Sequence, residues 1–450
     1  MEAAAVEGAD AAAAEAAGTE VAGTEVAAEA SSAPTPPFWR RSKIRRRALI
    51  STFLISALAM LAMLRSETGT HGLLVGMCLA VLPVPLLLGA FCWLDRVEPK
   101  PWPNLGFAFA WGACAATMVS MLANRSAARW LEAGLPPGSA QNADFWGTTL
   151  VAPVVEESAK AGAICLLFLY RRRTYGSLAD GVVIAGITAT GFAFTENILY
   201  LGTAFDSDQN LGLSGLFSST AATFFVRGVM SPFAHPLFTI LTGIGVGLAA
   251  STSRHHKFRR AMFPLLGLLL AMTLHGIWNS AASMSGLGFF LVYALVMFPL
   301  FALAVTLGVR VRQHELQVVR DYLPAYVAEG WLTAEEPEAL SSMRTRRKAR
   351  ALAARDHGPG GARAVRRYES YATTLAFLRA HAEQGTPRRD HESREQELLE
   401  TMWTLSPEAQ PALAEAFSLV ELPYEDRDQD DPSDYIPAPP RPDVPHPTLP

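Results

Sequence analysis

The sequence predicts an all-α fold: a polytopic membrane helix bundle of about eight transmembrane helices with a helical cytoplasmic tail. Three observations carry this. Half of the residues (50%) are hydrophobic and only 18% are charged, and mean hydropathy is +0.18, more apolar than a soluble chain of 450 residues. The apolar residues come in blocks, with polar segments at both ends. Lysine and arginine crowd into alternate loops between the blocks. A net charge of −4 gives no bulk basic surface, so no nucleic-acid partner is expected. Cys78, Cys92, Cys114 and Cys165 all lie in apolar runs without a C-x-x-C pair and read as small buried hydrophobes.

Residues 1–37 are rich in Ala, Glu, Gly and Thr and lack an aromatic residue, so they are expected to be a disordered tail. They are not a secretory signal, because the basic cluster Arg40 to Arg47 follows them. Residues 38–312 form the membrane-embedded domain. Its apolar runs fall at about 48–64, 72–94, 105–123, 147–170, 178–202, 220–250, 261–282 and 286–308, each near the roughly 17–25 residues a span needs. The sixth is long and holds Arg227 and Pro232, which predicts a broken or strongly tilted span. Ser177-Leu178-Ala179-Asp180 predicts a capping box at the start of the fifth. Gly181, Gly186, Gly191 and the pair Gly243-x-x-x-Gly247 predict close helix packing.

With the N-terminus inside, the inner segments hold Arg40 to Arg47, Arg96, Lys100, Arg171 to Arg173, Arg254 to Arg260, Arg310 and Arg312. The outer loops hold Arg65, Arg125 and Arg129. This asymmetry places both termini in the cytoplasm. The runs rich in Ala, Arg, Gly and Pro suggest a high-GC bacterial source, hence an integral protein of the bacterial cell membrane.

The fourth run carries V-A-P-V-V-E-E-S-A-K, so Glu156, Glu157 and Lys160 lie inside a span. Three unpaired charges there would cost on the order of 7–10 kcal/mol on insertion scales, so partners are required. Glu156 and Lys160 are i,i+4 and share a face, while Glu157 lies about 100° round. The fifth run carries Glu196 and Asn197, the sixth His235, and the seventh His275 and Asn279, again i,i+4. At about 1.5 Å per residue, Glu156, His275 and Glu196 lie about 14, 10 and 9 Å from the same side, compatible with one polar cavity. Buried carboxylates and imidazoles are the groups that activate water. Glu156 or Glu157 serves as the base, with His235 and His275 polarising the water and the oxyanion. Alternatively His235, His275 and Glu157 form a His₂Glu site for Zn²⁺, although H-E-x-x-H is absent. Lys160, Glu196, Asn197 and Asn279 form the support. Arg227 either snorkels or balances a carboxylate.

These residues resemble the PrsW family of intramembrane proteases, related to the CaaX-prenyl endopeptidases and bacteriocin-processing proteins. The resemblance rests on E-E-x-x-K at Glu156, Glu157 and Lys160, and on F-x-x-x-E-N at Phe192, Glu196 and Asn197. The His235 span and H-x-x-x-N at His275 and Asn279 complete it, in family order over about 48–310, and Asp95-Arg-Val-Glu98-Pro99 resembles the family as well. CaaX-type members carry E-E-x-x-x-R and F-x-x-x-H. Here Lys160 comes one residue early and Ser231 stands four before His235, which favours the PrsW type. The resemblance implies hydrolysis of single-span membrane proteins in the lipid bilayer, with anti-sigma-factor-like regulators as the expected target. Metal-assisted and metal-free glutamate mechanisms stay open.

Residues 313–421 predict a cytoplasmic helical region with helices at about 333–350, 364–383 and 393–419. Tyr368, Tyr371, Leu375, Phe377 and Leu378 form an amphipathic face, and the basic stretch Arg344 to Arg350 reads as a solvated helix face. Residues 422–450 are acidic, then Pro-rich, and read as disordered. Two rival functions remain at this level: a proton-coupled transporter using the Glu/His cluster as a relay, for which no two-half repeat is visible, and a catalytically silent scaffold.

Overall fold

A computed structural model describes residues 42–134, 140–170, 176–253, 255–383 and 391–421. The tail 1–37, Arg171 to Arg173, Arg254 and the end from 422 lie outside the described residues. No strand occurs among the described residues, and helix dominates them. Residues up to Leu58 and from Ala59 onward form two units. In the first, helix begins at Ser42, and Leu49, Ile50, Leu54, Ile55 and Leu58 are exposed, an apolar surface suited to lipid.

Six described helices are long and apolar enough to cross a membrane, against the eight predicted runs. Two features account for the difference. Arg46–Leu94 is one segment of 49 residues, about twice the roughly 17–25 residues that one span needs. It holds the first two predicted runs as helices α1 (Ser42–Ala80) and α2 (Val84–Leu94), and α1 breaks at Gly69, with φ 66°. The other feature is α4 (Ala152–Tyr170), which contains Glu156, Glu157 and Lys160 and so is too charged to qualify on composition.

Helix α3 (Trp102–Gly134) contains a π turn at Trp111–Ala116, and another, Gly147–Val151, leads into α4. Helix α5 (Leu178–Leu211) is the centre of the bundle: its most apolar stretch is 89% buried, against 28% for α7 (Lys257–Ala281). Its small residues allow this. A Cβ added at Gly181 would stand 2.0 Å from the Gly243 carbonyl oxygen of α6 (Ala234–Ser251), so the two backbones touch as predicted. The capping box of Ser177 and Asp180 is present. The sixth predicted run is indeed broken. A short helix, Ser219–Phe224, and a π turn, Phe225–Met230, precede α6, and the interruption at Ser231–Pro232 is where proline removes a backbone donor.

Helix α8 (Phe298–Tyr322) runs without interruption through position 313. It enters a second core built with α9 (Met343–Glu383) and α10 (His391–Glu421), containing Val318, Tyr326, Leu352, Tyr368, Leu375, Leu378 and Leu413. The helices expected at 333–350 and 364–383 overlap the two halves of α9, which bends at Gly358 (φ 64°) before Pro359. Tyr368, Leu375 and Leu378 of the predicted amphipathic face are buried, with Tyr371 and Phe377 packed beside them.

Candidate active site

Four helices bring the predicted polar residues to one place. Helix α4 supplies Glu156, Glu157 and Lys160, all buried. Helix α5 supplies Glu196 and Asn197, α6 supplies His235 and α7 supplies His275.

Lys160 is the hub. Its Nζ lies 2.8 Å from Glu157 Oε1 and 3.6 Å from Glu156 Oε2. It also donates to His235 Nδ1 at 3.1 Å and stands 3.8 Å over the Phe192 ring. The spacing predicted pairing with Glu156, whereas the closer partner is Glu157, three residues away. Positions i+3 and i+4 share a face, so both carboxylates are within reach and the other contacts decide.

Glu157 accepts from Lys160, from Thr239 Oγ1 at 2.8 Å and from His275 Nδ1 at 3.0 Å. Donors from α4, α6 and α7 therefore converge on one carboxylate. A proton on His275 Nδ1 leaves Nε2 with its lone pair, and that nitrogen stands 3.9 Å from Glu156 Oε2. The Phe238 ring stacks on His275 at 4.8 Å and fixes its plane.

Glu156 differs from its neighbour. Its Oε2 is buried and makes no hydrogen bond. Buried polar atoms are rarely left so, and here a cavity of about 210 Å³ adjoins it, lined also by Glu196, Thr195, Tyr200, Ser120 and Asn124. Ser120 Oγ and Asn124 Oδ1 are likewise without partners. A cavity lined by these polar side chains is suited to ordered water.

Glu196 accepts from His235 Nε2 at 2.6 Å and pairs with Arg227. Arg227 also donates to Asn197 Oδ1 at 2.7 Å and lies 4.0 Å over the Tyr200 ring. Arg227 thus balances a carboxylate, the second of the two roles the sequence left open. Asn279 donates to the Thr148 carbonyl at 2.9 Å, tying α7 to the π turn before α4. Thr239, Phe238 and Tyr200 escaped the sequence reading. Thr239 had a signal: it follows His235 by one helical turn and so shares its face.

Among the described residues, Glu156, His235 and His275 can each offer a ligand atom within 4.8 Å of the others. Glu157 is not in this group, its oxygens being committed to other donors. The donors suit a zinc-type ion, and the Glu156 oxygen, which makes no hydrogen bond, and the His275 nitrogen facing it fit one directly. His235 has both ring nitrogens engaged and would exchange one partner to join them.

A family model described as the PrsW family intramembrane metalloprotease matches residues 100–304, a stretch containing every residue of this cluster. The chain matches the PrsW family over that stretch, a little under half of its length. It is 26% identical over 199 residues to Protease PrsW of Clostridioides difficile (strain 630), covering 44% of this chain and 75% of that protein. It is 30% identical over 116 residues to Protease PrsW of Oceanobacillus iheyensis, covering 26% and 45%. For Protease PrsW of Shouchella clausii the figures are 29% over 132 residues, 29% and 52%. The chain thus spans three quarters of the first relative and about half of the other two. No solved structure matches it. As a PrsW-type intramembrane protease it is an integral membrane protein, and its C-terminal helices lie beyond the part the family model describes.

Proposed function

We propose that this chain hydrolyses peptide bonds of single-span membrane proteins, anti-sigma-factor-like regulators among them, with water activated by its buried Glu/His cluster. The observation that carries this is Glu156, which lines the cavity and whose Oε2 makes no hydrogen bond, with His275 Nε2 3.9 Å away. Glu156 takes a proton from a water in the cavity, the water oxygen attacks the peptide carbonyl carbon, and the proton passes to the leaving amine. Glu157 does not touch the reacting atoms. It holds His275 in one tautomer and α4, α6 and α7 in register. Lys160 and Glu196 do the same for His235 from its two sides.

In a metal-assisted form Glu156, His235 and His275 would hold the ion, with Zn²⁺ the natural choice for that donor set. When bound, such an ion polarises a carbonyl and acidifies water. The base would then be Glu196, which lines the same cavity. The basic loops favour an orientation with both termini in the cytoplasm of a bacterial cell.

The test compares membrane-protein fragments by mass spectrometry in cells making the chain or its Glu156→Ala form at equal levels. Single-span proteins shortened only by the intact chain would establish the activity and name the substrate. Matching profiles under several stress conditions would remove it and return the proton-relay reading. Cleavage by the purified chain that stops with a zinc chelator and returns with Zn²⁺ selects the metal-assisted form, and indifference to chelation selects the other.

A further inference from the structure

A second cavity, of about 740 Å³, lies where the C-terminal helices meet the membrane domain. It is lined from the α2–α3 connection and from α8 and α9, and seven of its sixteen lining residues are Lys or Arg against two Asp or Glu. Most of these cations lack an ion pair among the described residues. Lys100 is paired with Glu98 and Asp180, and Arg350 with Glu369. Arg96, Arg312, Arg347 and Arg366 have no ion pair among the described residues. Neither has Arg346, which is buried and donates only to neutral acceptors: the Leu340 and Val97 carbonyls and the Thr373 hydroxyl. The two acids are weak offsets, since burial raises both Asp95 and Glu369 to about 7.

Six guanidinium groups line this cavity, five of them without an ion pair; they repel each other unless an anion sits among them, and phosphate oxygens match their donor fork. The position specifies how that phosphate is presented. Helix α2 ends at Leu94 and α3 begins at Trp102, so the cavity stands where the apolar spans stop. Trp93 is 39% exposed and Trp102, on the lining, 74% exposed. Exposed indoles at that level mark the headgroup zone. A cavity of this size also accommodates a headgroup.

We propose that this cavity binds the phosphate of an acidic phospholipid headgroup from the leaflet next to the C-terminal helices. Arg96, Arg347 and Arg366 are exposed and free of ion pairs, so they carry binding without carrying the fold. Binding is measured by native mass spectrometry on the delipidated full chain, titrated separately with phosphatidylglycerol, phosphatidylcholine and inorganic phosphate. The intact chain should retain phosphatidylglycerol about tenfold more tightly than phosphatidylcholine or more. The triple variant R96Q/R347Q/R366Q should lose that preference at an unchanged melting temperature. The control R344Q/K348Q, which removes two exposed charges of α9 outside the cavity lining, should keep it. Equal retention of the two lipids overturns the proposal, as does a triple variant that keeps the preference or a control that loses as much. Inorganic phosphate held as tightly as phosphatidylglycerol overturns the lipid assignment.

Discussion

Lys100 and Lys160 are both buried lysines set between two carboxylates, yet their surroundings differ. Lys100 is held by Asp180 at 2.6 Å and Glu98 at 2.8 Å, and Asp95 accepts from its backbone nitrogen at 2.9 Å. Asp180 meanwhile caps α5. None of these groups leaves a buried atom without a partner among the described residues. Lys160, next to the other half of α5, sits between Glu157 and Glu156. There Glu156 Oε2 makes no hydrogen bond, and Glu156 lines a cavity. The residue types hardly distinguish the two clusters. Unused hydrogen-bonding capacity next to a cavity separates a group that can do chemistry from one that only holds helices together.

The comparison can be broken at either end. The largest effect is expected from Glu156→Gln: cleavage of a reconstituted substrate should fall by about 10³-fold while the melting temperature in detergent stays near that of the unaltered chain. A melting temperature that collapses would make Glu156 structural and erase the contrast. Glu157→Gln should behave differently, losing about 3–5 kcal/mol of stability because three converging donors lose their anion. Chemical denaturation in mixed micelles measures it, and an unchanged midpoint would show that the convergence contributes nothing. Lys100→Met should also destabilise, by about 3 kcal/mol, since it leaves the buried Asp180 and the half-buried Glu98 without their cation. The rate per folded molecule should hold, and a selective loss of rate would make the two clusters alike.

The smallest effect is on pH dependence. Burial raises Asp95 and Glu369 to about 7, above their unfolded values. The folded state therefore binds more protons between about pH 4 and 7. Stability from these groups is complete below about pH 4 and is lost as the pH rises through about 7. Melting temperatures from pH 5 to 8 should fall in the intact chain and fall less in Asp95→Asn. Parallel curves would remove Asp95 as a contributor.

Much of this was legible in the sequence. Polar residues inside apolar runs announced the cluster, because nothing in a bilayer offsets a charge except another part of the chain. The breaking of the sixth span followed from Pro232, and the closeness of α5 and α6 from Gly181 and Gly243. The division of labour between Glu156 and Glu157 was not legible. Adjacent residues differ by about 100° in facing, and only the neighbouring helices decide which one meets the cavity. Lys100 and Asp180 stand far apart in sequence, so their pairing left no local pattern, and Asp180 read as a cap alone. The basic cavity stayed hidden for a like reason, since its arginines come from three separate stretches of chain.

The π turns Trp111–Ala116, Gly147–Val151, Phe225–Met230 and Tyr293–Met297 interrupt or precede four of the membrane helices. A π turn is an α-helix with one residue more than it needs, absorbed by a wider loop of backbone. Chain length is therefore not uniformly fixed along these segments. One residue removed inside such a turn leaves both flanks facing as before, whereas one removed from the middle of α4 would turn everything beyond it by about 100°. These turns are slack in the molecule, and shortening by one residue is best tolerated there.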